Sequence, residues 1–120
     1  MLMPITETIP HTAARGAAEI DLELFTFVER FATNNVRWDL ILLFGKDPDS
    51  ELTSQEIAAQ LRRGVYVTTQ ELDDLTYLHV LVRRYTPQRI TYRLSRRATV
   101  RRSAIRLAGL ERPPAVPQPA

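Results

Sequence analysis

Between Thr53 and Ser95, two helix-start signatures and a strand pair follow one another with almost no connecting chain, which leaves few folds open. Thr53-Ser54-Gln55-Glu56 is a capping box, in which the Thr hydroxyl accepts from the Glu56 amide and the Glu56 carboxylate accepts from the Thr53 amide. It opens a helix over 54–62, with Ile57, Ala58 and Leu61 inward and Arg63-Gly64 as the stop. Thr68-Thr69-Gln70-Glu71 repeats the pattern and predicts a second helix over 69–78, with Leu72, Leu75 and Leu78 on its inner face. Only Gly64 to Val67 would then separate the two helices. His79 stands where a helix end needs a left-handed residue. Val80–Tyr85 and Ile90–Ser95 read as strands joined by the turn Thr86-Pro87-Gln88-Arg89. Ile90, Tyr92 and Leu94 alternate with Thr91, Arg93 and Ser95, which predicts one buried face and one wet face.

The flanks extend this unit. Residues 1–16 hold Pro4, Pro10 and Gly16 without periodicity and read as an irregular arm. Over 17–33 a helix is expected, because Ile20, Leu24, Phe27, Val28 and Phe31 recur at spacings of three and four. Val36–Phe44 is apolar almost all round; a strand fits its length, but Asn35 as cap and Gly45 as C-terminal closure favour a buried helix. Glu51-Leu52 is a candidate one-rung strand. Residues 96–109 form a basic amphipathic helix with Val100, Ala104, Leu107 and Ala108 packing inward, and 110–120 is a Pro-rich flexible tail.

Charge is strongly partitioned. Residues 1–82 carry 6 Lys/Arg against 13 Asp/Glu, whereas residues 83–120 carry 10 Arg against one Glu, balances of −7 and +9. The basic half suits an anionic partner, either nucleic acid or an acidic protein face; its bland alternative is internal pairing with the acidic half. The absence of cysteine excludes disulfides and thiolate metal sites. No apolar run approaches a membrane span and no secretory signal is visible, so a cytoplasmic protein without membrane contact is expected. His11 and His79 have no ligand spacing around them, so neither metal nor cofactor is expected. No Ser/His/Asp set, phosphate-cradling glycine loop or catalytic carboxylate pair can be assembled, which argues against an enzyme.

The stretches WDLILLF, LTSQEIAAQL, LDDLTYLHVLVRR and ITYRLS, in that order over 36–95, resemble the winged-helix DNA-binding domain of small prokaryotic transcriptional regulators. The resemblance implies a mainly α fold with a small antiparallel β-hairpin (α+β), a winged helix-turn-helix bearing additional N- and C-terminal helices. It implies double-stranded DNA as partner, with the second capped helix in the major groove. The groove-facing residues would be Thr68, Thr69, Gln70, Asp73, Asp74 and Tyr77. Wing contacts would come from Arg84, Gln88, Arg89 and Arg93, and further cations from Arg96 and Arg97 at the start of the basic helix. The flanking helices would make a homodimer.

The presumed recognition helix carries Glu71, Asp73 and Asp74 and no Lys or Arg. Phosphate neutralisation supplies most DNA affinity, so three carboxylates there are unfavourable. That composition motivates an alternative, a winged-helix protein–protein interaction module, subunit or adaptor, that does not bind DNA through this helix. A third reading is sensing of a small ligand between the first helix and the core.

Overall fold

The computed structural model describes residues 22–111, so the expected arm over 1–16, the start of the first helix and nearly all of the tail lie outside the described residues. Chain order is α1 (22–31), α2 (Asn35–Lys46), β1 (Glu51–Leu52), α3 (Ser54–Leu61), α4 (Val65–Tyr77), β2 (Leu81–Tyr85), β3 (Ile90–Leu94) and α5 (Ala98–Glu111). The three strands form one antiparallel sheet in the order β1-β3-β2, so the fold is mainly α with a small antiparallel sheet, as expected. Glu51 pairs with Arg93 and Leu52 with Tyr92, which makes the one-rung strand real.

Local chemistry explains most boundaries. The Asn34 side chain accepts from the Arg37 amide at 2.8 Å, so the cap of α2 is Asn34 and not Asn35. The Thr53–Glu56 capping box closes in both directions, at 3.1 and 2.8 Å. Arg62, not Arg63-Gly64, ends α3: it is left-handed at φ 56, and the Arg62 and Arg63 amides donate back to Ala59 and Ala58. His79 does the same for α4 at φ 68, with its amide on Thr76 and the Val80 amide on Leu75.

Two expectations fail for tertiary reasons. Gly45 does not close α2; it is buried inside the helix, where a Cβ would strike the Ala104 carbonyl and come within 2.9 Å of the Ala108 Cβ. Its lack of a side chain lets α5 lie directly on α2. The second capping box also does not form. Helix α4 begins at Val65, with Gly64 at its N-cap and no side-chain cap. The spacing Thr68, Leu72, Leu75 places all three on the inner face, and the Glu71 carboxylate is drawn to Arg37. Four residues assigned to a connection are therefore mostly the first turn of the helix.

The core is built from Leu40, Ile41 and Phe44 of α2, Ile57 of α3, Leu72 and Leu75 of α4, Val80 of the α4–β2 connection and Leu94 of β3, all essentially inaccessible. Leu24 and Phe27 of α1 close one side, with Val28 and Phe31 packed against them; Val100, Ala104, Leu107 and Ala108 of α5 close another. Phe25 points out to solvent. The simple alternation expected in the last strand is corrected: Ile90 is exposed, while Thr91 and Ser95 are buried beside Tyr92 and Leu94. Strand β3 is central, so Thr91 on its second face is hemmed in by side chains from both neighbouring strands, Arg84 beside it on β2 and Glu51 on β1.

Candidate nucleic-acid interface

Helix α4 presents an outer face of Val65, Tyr66, Val67, Gln70, Asp74 and Tyr77. The Gln70 amide donates to the Tyr66 hydroxyl at 3.1 Å, which links two of these side chains one turn apart. Tyr77 is 82% exposed, and Thr69 is half-buried at the edge of the face. Thr68 does not share it: the residue is fully buried and its hydroxyl has no hydrogen-bond partner among the described residues. Its assignment to the groove is corrected by the position of the helix start. Val65, Tyr66 and Val67 were missed for the same reason; the inward run Thr68, Leu72, Leu75 was the signal that could have placed them.

The three carboxylates of α4 are all engaged inside the molecule. The Arg37 Nε donates to Glu71 at 2.7 Å, its Nη2 to Asp74 at 3.2 Å and its Nη1 to the Thr33 hydroxyl at 3.2 Å. Arg37 and Glu71 are both mostly buried, so their pairing ties α2 to α4 away from bulk water, while the Asp74 end of the bridge is open to solvent. Asp73 accepts from Arg83 Nη1 at 2.6 Å and from the Tyr92 hydroxyl at 2.7 Å. Burial, reinforced by the neighbouring Asp73 carboxylate, pushes the Tyr92 phenol up to about 12, so it stays a donor at neutral pH.

At the wing tip the Thr86 amide donates to the Arg89 carbonyl at 2.9 Å and the Thr86 hydroxyl accepts from the Arg89 amide. Gln88 and Arg89 are exposed there, and the Arg89 guanidinium lies 3.9 Å from Glu56, a loose pair between half-exposed groups. Arg84 and Arg93 are not at the tip. Strand alternation turns Arg83 and Tyr92 toward α4 and puts Arg84, Thr91 and Arg93 on the other face of the sheet. There the Arg84 Nε donates to Glu51 at 2.8 Å, and the Thr91 hydroxyl donates to the same carboxylate oxygen at 2.6 Å. These donors hold Glu51 below the ordinary carboxylate range, Thr91 first and Arg84 after it. Arg96 joins that second face, with Arg101, in a recess beside the α2–β1 loop.

Arg97 points elsewhere, onto a cavity of about 600 Å³ between α1, the end of α4 and α5, lined also by Phe27, Phe31, His79 and Val100. This is the place between the first helix and the core where the ligand-sensing reading would put a small molecule. The twelve residues expected at one DNA surface thus divide into α4 and wing-tip residues, Asp73 turned to the sheet, Arg84, Arg93 and Arg96 on the other sheet face, Arg97 at a cavity and Thr68 in the core. Much of the charge partition is settled internally as well. Arg101 pairs with Asp49 at 3.0 Å and Arg102 with Glu23 at 2.7 Å, in addition to the Arg83, Arg84 and Arg89 pairs.

The fold is shared with solved structures. HlyU from Vibrio cholerae N16961 superimposes with a TM-score of 0.59 at 20% identity, over 79% of this chain and 95% of that one. A MarR family protein from Bacillus stearothermophilus gives 0.52 at 13% identity, over 92% of this chain and 78% of that one. MepR, a transcription regulator of the Staphylococcus aureus multidrug efflux pump MepA, gives 0.50 at 20% identity, over 86% and 73%.

The fold is a winged helix.

In its terms α3 and α4 are the helix-turn-helix pair, β2 and β3 carry the wing, and α1 and α5 are the added flanking helices. No family profile matches the sequence, and no curated protein does. Among the described residues no helix is long and apolar enough to cross a membrane, and no cluster of His, Asp and Glu is arranged to hold a metal ion.

Proposed function

We propose that this protein is a DNA-binding transcriptional regulator that lays the outer face of α4 into the major groove and the wing tip against the neighbouring backbone. The observation that carries this reading is the internal engagement of Glu71, Asp73 and Asp74. Arg37 and Arg83 supply the cations that α4 lacks, so its acidic composition does not translate into three unpaired charges aimed at phosphate. The same pairing removes what motivated a protein-interaction role for this helix. Val65 and Val67 offer apolar contact of the kind that reads a thymine methyl group, Thr69 and Gln70 offer hydrogen bonds to base edges, and Gln88 and Arg89 reach backbone. Such a role places the protein with the chromosome, in the cytoplasm. The named neighbours HlyU, MepR and the MarR family protein support the reading through their shared fold.

A homodimer through the flanking helices belongs to the same proposal. Leu22 and Phe25 on α1 and Ile105 and Leu110 on α5 are exposed large apolar residues, and Glu23–Arg102 joins the two helices side by side.

The decisive experiment is fluorescence anisotropy of random-sequence duplex DNA as a function of salt. Micromolar binding with a log–log salt slope steeper than about −2 is expected, the signature of roughly three or more neutralised phosphates. Arg89→Ala should shallow that slope, and Tyr66→Ala should weaken binding to a selected operator more than to random duplex. No binding at low salt would overturn the proposal.

A further inference from the structure

The recess on the outer face of the sheet is a second charged site, distinct from α4 and the wing tip. Four guanidinium groups, from Arg84, Arg93, Arg96 and Arg101, border a concavity of about 250 Å³ together with the carboxylates of Asp49 and Glu51. Each comes from a different part of the fold: Arg84 from β2, Arg93 from β3, Arg96 from the β3–α5 connection and Arg101 from the first half of α5. The opposing wall is the α2–β1 loop with Asp49, and β1 with Glu51. The fold therefore converges these groups; no run of sequence does.

Both carboxylates are already committed. Asp49 accepts from Arg101 Nη2 at 3.0 Å, and a further Arg101 N–H reaches the Pro48 carbonyl at 3.3 Å, which pins that guanidinium at the rim. Glu51 Oε2 takes Thr91 and the Arg84 Nε, leaving the two terminal nitrogens of Arg84 unengaged among the described residues. Arg93 lies opposite Glu51 in the strand register and acts on it through space without a direct ion pair, and Arg96 forms no ion pair among the described residues. Four positive charges against two negative ones leave an excess of two around one small concavity. A bound anion would offset that excess.

We propose that this recess binds a phosphoryl dianion, as inorganic phosphate or as the terminal group of a small phosphate monoester. An excess of two positive charges matches a dianion better than the single charge of a carboxylate or of a DNA phosphodiester. Forked guanidiniums suit bidentate contact to phosphate oxygens. The volume falls below the range of about 300 to 1,000 Å³ typical of pockets for drug-sized ligands, so it admits a small anion or a terminal group. Because the recess lies on the sheet face opposite α4, it is independent of the DNA-binding reading.

The test is isothermal titration at constant ionic strength with three probes: inorganic phosphate, methyl phosphate and dimethyl phosphate. Saturable one-to-one binding of the first two is expected, with dimethyl phosphate, the monoanionic mimic of the DNA backbone, at least tenfold weaker. Arg96 is exposed, so Arg96→Ala leaves the core intact; it and Arg93→Ala should each weaken phosphate binding about tenfold or more, while Arg62→Ala at the α3–α4 turn should not. Duplex binding should persist in Arg96→Ala. Absence of saturable phosphate binding, binding indifferent to both Arg93→Ala and Arg96→Ala, or preference for dimethyl phosphate would each overturn the proposal. The last outcome would make the recess a DNA-backbone clamp.

Discussion

Replacing Gly45 by alanine sets two effects of opposite sign against each other, and the structure says which wins. In a helix interior Gly→Ala gains about 0.8–1 kcal/mol of helix propensity, so an exposed site would be stabilised. At Gly45 the new methyl would strike the Ala104 carbonyl, which is backbone and cannot rotate aside, and would stand 2.9 Å from the Ala108 Cβ. Carbon atoms pack at roughly 3.5–4.0 Å, so α5 must back away by about half an ångström to one ångström. That displacement loosens Val100, Ala104, Leu107 and Ala108, which are buried against the rest of the core. Overpacking of this kind costs about 1–3 kcal/mol and more against rigid backbone, so we expect Gly45→Ala to lose about 1–2 kcal/mol net. For a domain of this size each kcal/mol moves the melting temperature by about 4–8 °C. Gly109, in the facing helix α5, is the internal control: a Cβ there meets nothing within 4 Å, so Gly109→Ala should be neutral or stabilising by up to about 1 kcal/mol. Thermal and urea melts of both variants read the difference. If Gly45→Ala is stabilised as much as Gly109→Ala, the close α2–α5 approach is wrong.

Two further outcomes can be checked on the same instruments. Thr68→Val replaces a buried, unpartnered hydroxyl by a methyl of similar shape and should raise stability by about 1 kcal/mol; a loss of that size would mean the hydroxyl has a partner. Glu23, Glu51 and Glu56 are each held below the ordinary value of 4.5, chiefly by hydrogen bonds from Arg102, from the Thr91 hydroxyl and from the Thr53 amide respectively. Folded-state values below the unfolded ones give stability that is complete above about pH 4.5 and lost as pH falls through the lowered values. The melting temperature should therefore hold from neutrality to about pH 5 and then decline, less steeply in Glu51→Gln; parallel profiles for the two proteins would exclude Glu51 from the effect.

The amino-acid sequence determined the features that depend on neighbours within one or two turns. The Thr53–Glu56 box, the left-handed His79, the turn from Thr86 to Arg89, the buried helix of VRWDLILLF and the order of elements all follow from interactions reaching a few residues along the chain. Even the one-rung strand at Glu51-Leu52 was visible, although its partner lies 40 residues on. Charge partition was equally plain, but its meaning was not.

Tertiary structure alone decided where α4 begins and what its acids do. Thr68-Thr69-Gln70-Glu71 satisfies a local rule as well as Thr53 to Glu56 does. It loses because Arg37, 34 residues away, captures Glu71, and because the inward stripe through Leu72 and Leu75 takes Thr68 with it. Gly45 likewise looks like a helix end until α5 is laid across it. The Glu23–Arg102 pair spans 79 residues, and the arginine recess draws on four separate segments. Coulomb attraction and steric contact act through distance in space, and a charge count along the chain carries no such distance. That is why the sequence could name an architecture and a set of arginines, while only the packed molecule set the arginines discussed above in pairs, at the wing tip, beside a cavity or around the sheet recess.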